Sequence, residues 1–309
     1  MAEGNSSNSA PLIILIVAAI AVMGASGGTD SIKNSSSGGT SGGNNSSSST
    51  EKPTTVSEIE QRLKIVDKRV KTLDEQIKET IEKQSQSQYF GLISLRSGNG
   101  FGGTDARKEY LTITASTRIE PVSLSGWKLV SDSTATVMTL GRATNVYYPQ
   151  NLTEDTNVIL SSGGKVVVVS GISPVGISFR SNICTGYLNR NNVLTPSLPQ
   201  LCPYARDENL SSIPKTPIND KCFDYIDTIP RCKMPTESLG LGYSAECAVF
   251  VAEKINYKGC VDIHRNDTGF LGNEWRVFLG RNETIWKNSR ETIRLVDNLG
   301  KTVATYIRR

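Results

Sequence analysis

The sequence predicts a mainly β head interrupted by a disulfide-rich α/loop insert. A transmembrane or signal segment and a coiled-coil helix precede that head. Three observations carry this reading. Apolar and polar residues alternate with period two in 109–116, in 121–129 and again across 291–303, the pattern of half-buried strands. All six cysteines of the 309 residues fall in one proline-rich stretch between those regions. Apolar residues recur at heptad spacing over 56–80, ahead of the first strand.

The elements follow in chain order. Residues 1–10 are polar and contain Glu3 but no Lys or Arg. Residues 11–28 hold an uninterrupted apolar run from Leu12 to Ala25, extended by small residues to Gly28, that is short for a bilayer span and long enough for the core of a signal peptide. They are expected to export or anchor the chain. Lys33 is the only nearby basic residue, so the positive-inside rule orients the segment weakly, and the cysteines bear more on topology. Residues 29–52 are almost all Ser, Gly, Asn and Thr, which cannot bury enough apolar surface to offset chain entropy; they read as a flexible linker.

Thr55 and Glu58 stand at capping-box spacing and open a helix within 53–87. Val56, Ile59, Leu63, Val66, Val70, Leu73 and Ile77 then alternate in steps of three and four, with Thr80 closing the series. In that register Arg62 and Asp67, then Arg69 and Asp74, face each other across a parallel partner. The expectation is a stalk that forms a homo-oligomer through 56–80. A single helix lying on its own β-domain is the alternative, and Ile65 and Ile81, outside the seam, fit it.

In Glu109-Tyr110-Leu111-Thr112-Ile113-Thr114-Ala115-Ser116 the apolar residues lie on one face. In Pro121-Val122-Ser123-Leu124-Ser125-Gly126-Trp127-Lys128-Leu129 the alternation continues, with Gly126 allowing a bend before Trp127 and Leu129 resume the apolar face. Lys165-Val166-Val167-Val168-Val169 is a β-branched run suited to a strand buried on both sides. Near the C-terminus, Ile293 and Leu295 point inward, Asp297 to Gly300 turns, and Val303 begins the return strand.

The patterns E-Y-L-x-I and P-V-x-L-S-G-W-x-L, joined by Glu291-Thr292-Ile293-Arg294-Leu295-Val296-Asp297-Asn298-Leu299-Gly300-Lys301-Thr302-Val303 and a following Tyr306, resemble the lamin tail domain. The likeness covers 88–180 and 273–309. It implies an immunoglobulin-like β-sandwich over 88–309 with Trp127, Leu129, Ile293 and Leu295 in one core. The general layout is similar to surface proteins of bacteria. It also implies a module that binds or supports and does not catalyse.

The insert, 181–272, holds Cys184, Cys202, Cys222, Cys232, Cys247 and Cys260. Seven of the twelve prolines lie between Pro196 and Pro235, so the region is loop-rich. An even cysteine count in such an exported segment reads as three disulfides, with zinc disfavoured because no C-x-x-C occurs and His264 is the only histidine. The fifteen possible connectivities stay open. The weak preference is for local pairs: Cys247–Cys260, Cys222–Cys232 and Cys184–Cys202, which would brace loops without tying the insert to the sandwich. Short helices are expected at 220–229 and 244–255.

Catalytic patterns are sparse. Gly98-Asn99-Gly100-Phe101-Gly102-Gly103 has dinucleotide-fingerprint spacing, but a strand and not a helix follows, so it reads as a hairpin loop. Asp262, His264, Asp267 and Glu274 form the one acid and histidine cluster, the basis for an alternative as an exported hydrolase. Arg276, Arg281, Arg290 and Arg294, interleaved with Trp275, Phe278 and Trp286, are candidates for binding nucleic acid or an acidic glycan. Simple alternation competes with that: Trp275, Val277 and Leu279 inward, Arg276 to solvent. No cofactor or metal motif appears. The favoured function is a membrane-anchored or secreted protein, its head extracytoplasmic, that binds a protein or polysaccharide ligand or acts as a scaffold at the cell surface.

Overall fold

The computed structural model describes residues 55–148, 154–236, 239–240 and 242–309, with the side chains of 190–192 left aside. The apolar segment 11–28 and the linker 29–52 lie outside the described residues. Among the described residues no helix is long and apolar enough to cross a membrane. The chain divides into two compact units, 1–62 and 63–309. The described part of the first is the opening of helix α1.

Helix α1 spans Val56–Ser85. Its start is the expected capping box: the Thr55 backbone N–H donates to Glu58 Oε2 at 3.2 Å. None of its residues is buried, and the whole seam from Val56 to Ile77 is exposed, as are Ile65 and Ile81. The helix therefore does not bury an apolar stripe in the way a surface helix usually does.

The β-structure is mostly antiparallel and comprises thirteen strands among the described residues. β1 (Ile93–Ser97) and β2 (Tyr110–Ala115) form a hairpin with Ile113 opposite Leu95. The loop between them needs its glycines: a Cβ on Gly100 would lie 1.9 Å from the Lys108 carbonyl oxygen. β2 continues onto β9 (Lys165–Gly171), buried on both faces from Val166 onward, as its valines require. β9 pairs in parallel with β11 (Leu271–Arg281), setting Val166 beside Trp275 and Val168 beside Val277. Parallel neighbours need a long crossover, and here the crossover contains the insert. β10 (Phe179–Asn182) lies antiparallel on the far side of β11, followed by β6 (Ala143–Thr144) and β7 (Asp155–Thr156), completing a seven-stranded sheet.

A second sheet has four strands in the order β13 (Thr302–Arg308), β12 (Glu291–Val296), β4 (Lys128–Ser131), β5 (Val137–Thr139). Leu295 sits opposite Leu129 across the β12–β4 pair. The β12–β13 turn is held by Asp297, whose Oδ1 accepts from the N–H groups of Leu299 and Lys301, both at 2.9 Å. The long alternating stretch 121–129 is split in two. β3 (Val122–Ser123) pairs with β8 (Ile159–Leu160) in a separate small sheet, while a turn at 124–127 carries the chain into β4. Gly126 makes that turn at φ +89°, where an added Cβ would also lie 2.9 Å from Asn298 Oδ1.

Both larger sheets feed one apolar core. Leu111, Ile113, Val166, Val168, Trp275 and Val277 meet Trp127, Leu129, Met138, Ile293, Leu295 and Val303 there. Trp127 is 2% exposed and Ile293 fully buried, although 166 positions separate them in sequence. The β11–β12 loop is fastened onto this core by two fully buried carboxylates. Glu109 accepts from the backbone N–H groups of Ile285 (2.7 Å) and Trp286 (3.3 Å). Glu291 accepts from Ser131 Oγ (2.8 Å) and the Lys287 N–H (2.9 Å).

Candidate functional site

The insert is organised around small cores of its own. Short 3-10 turns at Thr185–Asn192 and Ala205–Asp207 precede three helices: α2 (Pro217–Thr228), α3 (Ala245–Lys254) and α4 (Tyr257–His264). The first two match the helices expected from sequence to within a few residues. The third is additional, and its signal is the Asn256 cap, whose Oδ1 accepts from the Gly259 N–H at 2.9 Å. One core joins α2 and α3 through Ile213, Ile226, Phe250, Val251 and Ile255. Another sets Tyr257, Val261 and Phe270 around Cys184 and Cys260.

All six cysteines are bridged, and among the described residues no cysteine is free. The pairs are Cys184–Cys260, Cys202–Cys232 and Cys222–Cys247, with Cα separations of 5.8, 5.2 and 6.0 Å. This corrects the local pairing expected from sequence in each case. Packing α2 against α3 brings Cys222 to Cys247, helix to helix, where a helix-to-loop staple was expected. α4 folds back to the end of β10, so Cys260 meets Cys184, 76 residues away in sequence and two past the strand. That bridge fastens the insert to the seven-stranded sheet, contrary to the expectation that the bridges would leave it untied.

The acid and histidine cluster is not one site. Glu274 is buried on β11, where it pairs with Arg276 and with Lys165 at 2.8 Å. Asp262 accepts from the Tyr148 hydroxyl and pairs with Lys258 at 2.6 Å. The hydrogen bonds from Lys258 and then Tyr148 hold the Asp262 carboxyl below its usual range. His264, the last residue of α4, has both ring nitrogens occupied: Nδ1 lies 2.7 Å from Asp267 Oδ2 and Nε2 lies 2.8 Å from Glu208 Oε1. Burial is the largest single influence on the imidazole and favours its neutral form. The hydrogen bonds and charges of Glu208 and Asp267 together outweigh it and raise its pKa. Glu208 was not a sequence candidate, because 56 residues separate it from His264 and nothing local links them.

The four candidate arginines are placed differently from one another. Arg276 is 1% exposed, which corrects its expected solvent-facing position. It lies on the opposite face of β11 from Trp275 and Val277, and the insert covers that face. Its guanidinium donates to Glu274 Oε1 at 2.6 Å and to the carbonyls of Pro196 (2.5 Å) and Ser197 (3.4 Å). Burial pulls its pKa down, and the charge and hydrogen bond of Glu274 oppose that loss. Arg294 is paired with Asp132 at 2.9 Å. Arg281 and Arg290 are exposed. Trp275 and Trp286 are buried, so neither ring is presented for stacking on bases or sugars.

Beside Glu208 an open groove of 730 Å³ runs along the start of α2, lined by Leu210, Lys215, Asp220 and Phe223 among others. Next to it in sequence, the Tyr204 ring is flanked by Arg206 and Arg231, with guanidinium carbons 4.3 and 4.4 Å from its centre. The groove offers one aromatic side chain and charges of both signs. Among the described residues no cluster of His, Cys, Asp and Glu is placed to hold a metal ion. No protein-family model, no curated protein and no solved structure matches this chain.

Proposed function

We propose that this protein is a non-enzymatic, extracytoplasmic binding or scaffolding protein. Segment 11–28 anchors it or directs its export. Its head is a lamin-tail-like, immunoglobulin-type β-sandwich displayed at the cell surface on a self-associating stalk. The observation that carries this reading is the insert with all six cysteines bridged, an arrangement that persists in oxidising compartments. Two further features support it. Both nitrogens of His264 are spent on carboxylates, as are the other members of the acid cluster on their own partners. The heptad seam of α1 is exposed along its length, which suits pairing with copies of itself.

The test is made on intact cells. Protein labelled by a membrane-impermeant amine reagent, with no thiol open to alkylation before reduction, is the expected result. Free thiols or protection from the reagent would overturn the location. For the stalk, sedimentation at micromolar concentration should show an oligomer that reverts to monomer when 53–85 is deleted. A hydrolytic activity abolished by His264→Ala with the fold intact would replace the binding reading with the enzymatic one.

A further inference from the structure

We infer that the head is N-glycosylated at Asn209, Asn266 and Asn282. This rests on the exported location proposed above. Each of these asparagines has a hydroxyl residue two positions on and no proline between: Asn209-Leu210-Ser211, Asn266-Asp267-Thr268 and Asn282-Glu283-Thr284. That triplet is the acceptor signal for asparagine glycosylation in exported chains. Five more such triplets, at Asn5, Asn34, Asn44, Asn45 and Asn151, lie outside the described residues.

The structure separates these asparagines from others that the fold uses. All three are exposed and sit where regular structure has just ended. Asn209 follows the 3-10 turn Ala205–Asp207, Asn266 follows α4 and Asn282 follows β11. Three asparagines without the hydroxyl partner do the opposite and donate their carboxamide Nδ2 into the fold. Asn182 gives it to Tyr257 Oη (3.2 Å), Asn219 to the Pro214 carbonyl (2.8 Å) and Asn256 to the Ala252 carbonyl (2.8 Å). At Asn209 the local geometry points the same way. Its Oδ1 accepts from the Ser211 backbone N–H at 3.0 Å, an Asx-turn that engages the carboxamide oxygen and does not use Nδ2. A glycan on any of the three would meet solvent and displace no packed side chain.

The donor is a sugar chain linked through phosphate or pyrophosphate to a membrane lipid, transferred by a separate enzyme. Nδ2 attacks the anomeric carbon, forming a C–N bond. The anomeric C–O bond breaks, its electron pair leaves on the phosphate, and one amide proton passes to a base of that enzyme. Nothing is oxidised or reduced. Asn209 adjoins Glu208 and lines the groove, and Asn266 lies two residues past His264. Sugars at these two positions would therefore flank the Glu208–His264 link, shielding the loop-rich insert from proteases.

The full-length protein, purified from its own cells, is digested before and after reduction, and the peptides containing each asparagine are weighed. The expected result is a sugar mass increment on all three peptides. Asn209→Gln and Ser211→Ala should each abolish the increment at Asn209 alone, and Ser211→Ala keeps the backbone N–H that forms the turn. Occupancy at some sites upholds the inference for those and overturns it for the rest. Three unmodified peptides from protein whose cysteines are all oxidised would overturn the inference and leave the exported location standing. Unmodified peptides together with free thiols would overturn both.

Discussion

The head and the insert solve the same problem by different means. In the head, strands far apart in sequence converge on one core containing Trp127, Leu129, Ile293 and Leu295, with no cysteine among them. The insert has small cores of its own, packs Leu194 and Leu198 on Phe179 of the sheet, and holds all three disulfides. A segment with so little apolar interior gains less from burial, and covalent closure of the unfolded chain makes up the difference. The lesson is that covalent bonds appear where the core is thin, even within one folded unit.

The comparison can be broken most directly at Trp127. Trp127→Ala removes a buried indole from the core that both sheets feed and should cost about 3–5 kcal/mol, read as a lower denaturant midpoint for the head. A loss below about 1 kcal/mol would place Trp127 outside the core that the comparison rests on.

Replacing Cys184 and Cys260 together with serine should be nearly as costly. Chain entropy alone assigns a loop of this length about 4.5 kcal/mol. The two regions should respond differently. Amide exchange should rise throughout α4 and the 3-10 turn Thr185–Asn192, while β2 and β9 keep their protection. Equal loss of protection in both would show that the insert and head unfold as one.

A smaller effect separates core from fastening. Glu109→Ala leaves the N–H groups of Ile285 and Trp286 without their acceptor and should cost about 1–3 kcal/mol. The β11–β12 loop should become sensitive to proteases before the sheets do. Cleavage starting elsewhere would mean the loop is held by other contacts.

The smallest effect is electrostatic and confined to the insert. Folded His264 holds its proton more tightly than the unfolded chain does, because Glu208 and Asp267 outweigh its burial. Its contribution is therefore complete below the unfolded value of about 6.5 and is lost as pH rises through the raised folded value. The melting temperature should fall modestly over that range, and His264→Gln should remove that component. A slope of opposite sign would mean the imidazole is neutral where it meets Glu208.

Much of the head was legible in the sequence because its signals are local. Period-two alternation marked β2 and the β12–β13 hairpin, Asp297 and Gly300 marked their turn, and the valine run marked a strand buried on both sides. Gly126 announced a bend. It did not reveal that the bend would send Val122 and Leu129 into different sheets, which depends on β8 and β12 arriving from elsewhere. The candidate site was much less legible. His264 stood out by being alone, but its partner Glu208 is distant in sequence. Arg276 read as a solvent-facing residue because alternation reports only that two faces differ, not whether a second layer covers the outer one.

By itself the sequence determined that strands form at these positions, that α1 carries an apolar seam, and that the cysteines serve one region. Each follows from the spacing of neighbouring residues and the short-range geometry of strand, helix and turn. Tertiary structure alone decided which cysteines meet, that Arg276 is buried, and that His264 bridges two carboxylates. Those outcomes require β9 and β11 to lie parallel with the insert as their crossover, and α4 to fold back against the end of β10. Such contacts join residues from 25 to 80 positions apart, where no periodicity reaches and only packing chooses the partner.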